Sequence, residues 1–183
     1  LITAYRLSTR YNLSMKFYAF DSFGGLPAIT GVDAQGFSEF SPGEYSCSIK
    51  NFRKNLVREG VDLMRVSLIP GWYDQTLKKE TKKNLSLKKA SIILVDCDLY
   101  ESTVPVMNFI TDYIQEGTII IFDDWFSFRG NPHRGEQRAF REWLEKNPSF
   151  QAVEFYKAGN INSFIMHNRE DTKEKRSRFT VRS

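Results

Sequence analysis

The chain has 183 residues, 41% hydrophobic and 26% charged, with 26 Lys and Arg against 22 Asp and Glu; that is enough for one domain with its own core and too apolar for intrinsic disorder. Two cysteines, Cys47 and Cys97, and two histidines, His133 and His167, exclude a disulfide scaffold, a four-thiolate zinc site and a His-rich metal centre, so any metal would be held by oxygen. No apolar run reaches the ~18 residues of a membrane span and the opening LITAYRLSTR is not a signal peptide, so the expectation is a cytoplasmic protein with no membrane partner.

In chain order, Ile2–Leu13 reads as a helix and Phe17–Asp21 (FYAFD) as a strand. Ser48–Glu59 places Ile49, Phe52 and Leu56 on one helical stripe, and Gly60 stops it. Met64–Ile69 and Ser91–Val95 read as strands, apolar on both faces as in a sheet covered by helices. Thr103–Gln115 reads as a helix capped by Ser102 or Thr103, with Pro105 in its first turn and Met107, Ile110 and Ile114 inward. The strand Thr118–Phe122 follows, then the helix Gly135–Lys146 with Phe140, Trp143 and Leu144, ended by Asn147-Pro148. Ala152–Tyr156 and Ser163–His167, separated by Lys157–Asn162, suit an antiparallel edge pair. His167, in an edge strand, reads as structural.

Strands alternating with helices predict an α/β fold: a Rossmann-like, mostly parallel sheet with helices on both faces and an antiparallel edge strand. Residues 1–168 form the expected single domain, and 169–183 a basic tail. The net charge of +4 gathers in Lys78–Lys89 and Lys173–Arg182. A basic patch can be a nucleic-acid footprint, but no aromatic side chain is interleaved with these lysines to stack on bases. They read as a solvated helix face and a frayed terminus, and nucleic acid is not an expected partner.

In such sheets ligands sit beyond the carboxyl ends of the strands. There the sequence delivers Asp21, then Asp96 and Asp98, then the adjacent Asp123 and Asp124. If the last two strands are neighbours, three or four carboxylates converge, a set suited to Mg²⁺ or another hard divalent cation. An acid such as Asp21 can accept ribose hydroxyls, and Phe23 with Trp72-Tyr73 offers stacking surface for a planar ring. The polar segment Phe126–Glu136, with Arg129, His133 and Arg134, has the character of a substrate-facing loop.

Four segments carry a resemblance: YAFDSFGGLP at 18–27, PGWYDQTL at 70–77, DCDLYEST at 96–103 and Asp123-Asp124. Together they resemble the macrocin O-methyltransferase family, class I S-adenosylmethionine-dependent enzymes that methylate sugar hydroxyls of macrolides and aminocoumarins. The resemblance covers about residues 3–145. It implies that Asp96, Asp123 and Asp124 hold Mg²⁺, that Asp98 is the general base, and that Asp21, Ser22, Gly71 and Trp72 lie at the S-adenosylmethionine. Cys97 stands where the family usually carries Gly. No glycine-rich loop precedes Asp21, and Gly24-Gly25 follows the family's second strand, so the chain opens in the helix after that loop. Either the sequence is a fragment or the protein folds without the family's first strand; in the second case its second and fourth strands would pair directly, and an exposed edge would invite a homodimer.

The function expected is a metal-dependent O-methyltransferase acting on a hydroxyl of a sugar or small natural product. The alternative is a truncated, non-catalytic methyltransferase-like domain that keeps a metal or partner site but binds the cofactor poorly. Nucleotide hydrolysis, suggested by TIIIFDD at 118–124, falls for want of a G-x-x-x-x-G-K-[ST] loop.

Overall fold

Strand register and helix capping account for most of the architecture in the computed structural model, which describes residues 1–36, 39–85 and 87–169. The basic run Lys173–Arg182 therefore lies outside the described residues. The chain divides into two compact units, one of Leu1–Ala28 with Phe40–Lys78, the other of Ile29–Glu39 with the chain from Lys79 onward.

In the first unit, α1 (Ile2–Arg10), β1 (Phe17–Asp21), α2 (Ile49–Arg58), β2 (Val66–Pro70) and the short α3 (Tyr73–Thr76) follow in order. Strands β1 and β2 pair in parallel from Phe17↔Val66 to Asp21↔Pro70. The Ser48 hydroxyl accepts the Asn51 N–H and caps α2. Leu56 of that helix packs with Tyr5 and Val61, and Phe17, Phe52, Val66 and Leu68 close round them. Arg65 fixes the α1–β1 connection: its guanidinium lies 5.0 Å from the Tyr5 ring and donates to the carbonyls of Leu13 and Met15.

The second unit contains α4 (Lys79–Leu85), β3 (Ile92–Val95), α5 (Tyr100–Ile110), β4 (Ile119–Phe122), α6 (Gly135–Lys146), β5 (Phe150–Ala158) and β6 (Ile161–Asn168). Its sheet runs β3-β4-β6-β5. Strands β3 and β4 are parallel, and β6 is antiparallel to both β4 and β5. Phe122, Phe140 and Phe164 meet with ring centroids 4.8–6.1 Å apart, and Trp125 joins them.

The α/β class, the parallel pairing and the antiparallel pair at the sheet end are as expected, and α6 has the expected bounds. Several local expectations are corrected. α5 begins at Tyr100 because its first N–H finds a distant acceptor, the Asp33 carboxylate, rather than Ser102 or Thr103. Pro105 therefore sits inside the helix, which ends at Ile110 in a 3₁₀ turn, Thr111–Tyr113, instead of reaching Gln115. Ile92 and Leu94, which share one face of β3, are half-exposed, so that strand is not covered on both faces. His167 belongs to β6, an inner strand, and its Nδ1 lies 2.7 Å from Glu116. No helix among the described residues is long and apolar enough to cross a membrane.

Candidate active site

Parallel pairing of β3 with β4, ending at Val95↔Phe122, carries their two acidic continuations out side by side. The Asp123 N–H extends the ladder by donating to Val95. Carboxylate oxygens of Asp96, Asp98 and Asp124 then lie within 4.8 Å of one another, with Asp96 exposed, Asp98 buried and Asp124 between. A triad of hard oxygen donors at this spacing fits a divalent cation of the Mg²⁺ or Ca²⁺ type.

Asp98 is the unusual member. It sits at φ 61°, in the left-handed region, and the Leu99 N–H donates across it to the Cys97 carbonyl at 2.6 Å. Such a conformation costs on the order of 1–3 kcal/mol and persists only where surrounding contacts impose it. Burial, then the charge and hydrogen bond of Asp124, then the charges of Asp96 and Asp123 push its carboxyl up to about 8. Asp123 is raised too, by burial and then by Asp124. Crowded acids that resist ionisation together are what a cation would relieve.

Two further acids hold this rim from beneath. Glu136, in the first turn of α6 and only 1% exposed, accepts the N–H of Cys97 at 3.3 Å and of Asp124 at 3.0 Å. Burial raises its carboxyl well above the usual range, with Asp124 adding to the effect and the two backbone N–H groups opposing it. Asp33, equally buried, accepts the first N–H of α5, from Tyr100, and the first of α6, from Gly135. Asp124 is also steadied from two sides: Asn160 of the β5–β6 turn donates to its Oδ1 at 3.0 Å, and Ser127, three residues on in its own loop, does so at 3.1 Å.

In the other unit, the ends of β1 and β2 bring together Asp21, Ser22, Gly71 and Trp72. Asp21 accepts the Phe23 N–H at 2.6 Å, and its carbonyl accepts the Gly71 N–H at 2.9 Å. The Ser22 hydroxyl accepts from Gly24 and donates to the Gly25 carbonyl. Gly71 has φ 136°, and a Cβ there would stand 2.9 Å from the Thr76 methyl. The Trp72 ring lies against Gly24 and is 38% exposed.

Residues 4–148 match the model of the macrocin-O-methyltransferase (TylF) family. The chain belongs to that family. Among curated relatives it is 28% identical over 109 residues to an 8-demethyl-8-(2,3-dimethoxy-α-L-rhamnosyl)-tetracenomycin-C 4′-O-methyltransferase of Streptomyces olivaceus, covering 57% of this chain and 40% of that protein. It is 26% identical over 111 residues to the mycinamicin III 3″-O-methyltransferase of Micromonospora griseorubida, covering 57% and 42%. The chain therefore spans less than half the length of these curated relatives. The solved O-methyltransferase NovP shares its fold at a TM-score of 0.72 and 18% identity, over 92% of this chain and 66% of that one.

Seen as a macrocin-O-methyltransferase family chain, the molecule gathers the expected acids, with one difference in grouping. Asp98 completes the three-carboxylate cluster, while Asp123 lies outside it and acts on Asp98 through its charge. The 126–136 loop is less open than its polarity suggests. Ser127 and Phe128 are buried, and Arg134 lies over the Phe128 ring. His133 stays exposed, its Nδ1 3.4 Å from Arg141. Sequence reasoning missed Asp33, Glu136 and Asn160 as supports. Glu136 alone left a trace, as the one acid in the first turn of α6.

Proposed function

We propose that the chain serves S-adenosylmethionine-dependent transfer of a methyl group to a hydroxyl of a sugar or small natural product, with a divalent cation, Mg²⁺ or a similar ion, on the acid rim. The observation that carries this reading is the Asp96–Asp98–Asp124 cluster with Asp98 buried among other acids. Family membership and relatives whose names specify sugar positions 4′ and 3″ support the same chemistry.

When bound, S-adenosylmethionine supplies an electrophilic methyl group, and a divalent cation supplies positive charge against a developing alkoxide. Asp96 and Asp124 would hold the cation, with Asp123 adding negative charge beside them. Asp98 would take the proton of the acceptor hydroxyl once a bound cation, by offsetting the crowding of the acids that raises its carboxyl, holds it as a carboxylate. Asn160 and Ser127 fix the orientation of the Asp124 carboxylate. Asp21, one of whose carboxylate oxygens accepts the Phe23 N–H, would receive ribose hydroxyls at the other, and the half-exposed Trp72 would offer a ring face.

Calorimetry of the chain with S-adenosylmethionine, with and without Mg²⁺, tests the proposal. Binding heat that grows with Mg²⁺, followed by methylation of rhamnosylated acceptors, is expected. No heat at millimolar cofactor in either condition would remove it.

A further inference from the structure

The three-carboxylate cluster spans two loops beyond the paired strands, where the Asp123 N–H donates to the Val95 carbonyl. Further out, Glu136 is an acceptor that the two loops share. One of its oxygens takes the N–H of Cys97, the residue between Asp96 and Asp98, and the other takes the N–H of Asp124. A single side chain thus measures the gap between the two strands' acids. Glu136 is itself held in place, because Gly135 before it donates to Asp33, which also holds the N-terminus of α5 directly after Asp98-Leu99. No side chain fits at position 135: φ is 49°, and a Cβ would stand 2.9 Å from the Phe128 ring and 3.0 Å from the Asp98 carbonyl. The start of α6 is therefore pressed directly against the Asp98 loop.

We propose that Glu136 is a positioning residue that sets the separation of Asp98 and Asp124 by clamping the Cys97 and Asp124 backbone N–H groups, so that cation affinity depends on a buried carboxylate that touches neither cation nor substrate. The inference rests on the functional reading above and adds to it a residue that the cluster itself does not contain. Its chemistry requires two acceptors. A glutamine at 136 keeps one carbonyl oxygen and turns an NH₂ donor toward the other N–H, so one loop is released while volume is preserved.

The test is a Mn²⁺ titration of the chelator-treated chain, read by the electron paramagnetic resonance signal of free Mn²⁺, alongside circular-dichroism melting. Supporting groups around a metal site commonly carry about 10–100-fold in affinity. Glu136→Gln is expected to weaken Mn²⁺ binding by about that factor while its spectrum stays that of the native chain, and Glu136→Asp, which keeps two acceptors on a shorter arm, to fall between. If Glu136→Gln does not fold, Glu136→Asp carries the test alone: weaker Mn²⁺ binding at native spectrum supports the clamp, and unchanged binding overturns it. Wild-type binding matched by a folded Glu136→Gln overturns the clamp and leaves the functional reading standing. Absence of Mn²⁺ binding by the wild-type chain overturns both.

Discussion

At the end of β1, Asp21 and Ser22 bond to backbone groups two or three residues away. At the ends of β3 and β4, the loops bearing Asp96, Asp98, Asp123 and Asp124 are held instead by Asp33 and Glu136, which reach across 67, 102, 39 and 12 positions of sequence. The acidic and hydroxyl side chains of the first rim make turn bonds that a short peptide of that sequence favours, while its backbone is tied to β2 and to residues 43–44. The second forces several carboxylates together and one of them, Asp98, into a left-handed backbone, which local preferences alone do not enforce. A locally built rim tolerates loss of one contact. A rim assembled from distant parts concentrates its cost, and its chemistry, in a few buried groups.

The largest effect that would test this contrast is on catalysis. Asp98→Asn keeps shape and tolerates the left-handed backbone, but cannot take a proton. Methyl transfer is expected to fall by about 10²–10⁴-fold in kcat, the usual share of general-base catalysis. Near-normal turnover in that variant would leave Asp98 a structural acid only.

Next comes pH. Asp98 is raised from 3.8 to about 8, so the folded chain holds a proton that the unfolded chain has released across that interval. The stabilisation this represents is complete below 3.8 and is lost progressively as pH rises towards 8. Glu136, raised by burial, works in the same direction. Without divalent ions, Tm should decline from pH 5 to pH 8, and Asp98→Asn should flatten that decline. Mg²⁺ should raise Tm more at pH 8 than at pH 5. A Tm that climbs with pH in the presence of chelator would contradict the burial of these acids.

Removing one support from each rim gives a smaller contrast. Asp33→Ala strands the first N–H groups of two helices in a buried place and is expected to cost about 3 kcal/mol in urea unfolding. Asp21→Ala loses one exposed turn bond, and its cost should stay under about 1 kcal/mol. Equal costs would erase the distinction between the rims.

The same distinction explains what the sequence disclosed. Strands such as Phe17–Asp21 and Thr118–Phe122 are short apolar runs whose ends fall at acids, and periodicity with turn residues suffices to place them. The helix from Ser48 is legible because its apolar stripe, Ile49, Phe52 and Leu56, and its stop at Gly60 lie within the segment, and its cap, Ser48, acts within three residues. The start of α5 was misplaced because its cap is Asp33, distant in sequence and unremarkable in its own neighbourhood of Gly31–Ala34. Glu136 shows in the sequence only as an acid in the first turn of a helix, since nothing local reveals that it is buried. That the acids after β3 and β4 converge follows from their strand-end positions, but that Asp98 rather than Asp123 completes the cluster depends on a left-handed backbone that composition does not encode. Acid types and their strand-end positions were legible; the contacts that hold them in a cluster were not.

The smallest expected effect lies within the first rim, at Gly24, and its neighbour Gly25 supplies the contrast. Gly25 has φ 80°, and a Cβ there would stand 2.4 Å from the Glu44 carbonyl oxygen and 2.5 Å from that of Gly43. Neither atom is the tip of a flexible side chain, so Gly25→Ala must shift the 43–44 backbone, which is bonded to Leu26 on both sides of the turn. A cost of about 1–3 kcal/mol is expected from strain and contact together. At Gly24 the added methyl would meet the Trp72 ring at 3.5 Å, an ordinary van der Waals distance, and no left-handed backbone is required. Gly24→Ala should therefore leave stability within about 0.5 kcal/mol of the parent, as surface changes usually do. Thermal melting of the two variants side by side separates a turn that depends on backbone shape from one that depends on glycine content. Equal shifts would mean that the Asp21–Pro27 loop is not folded against residues 43–44 in solution.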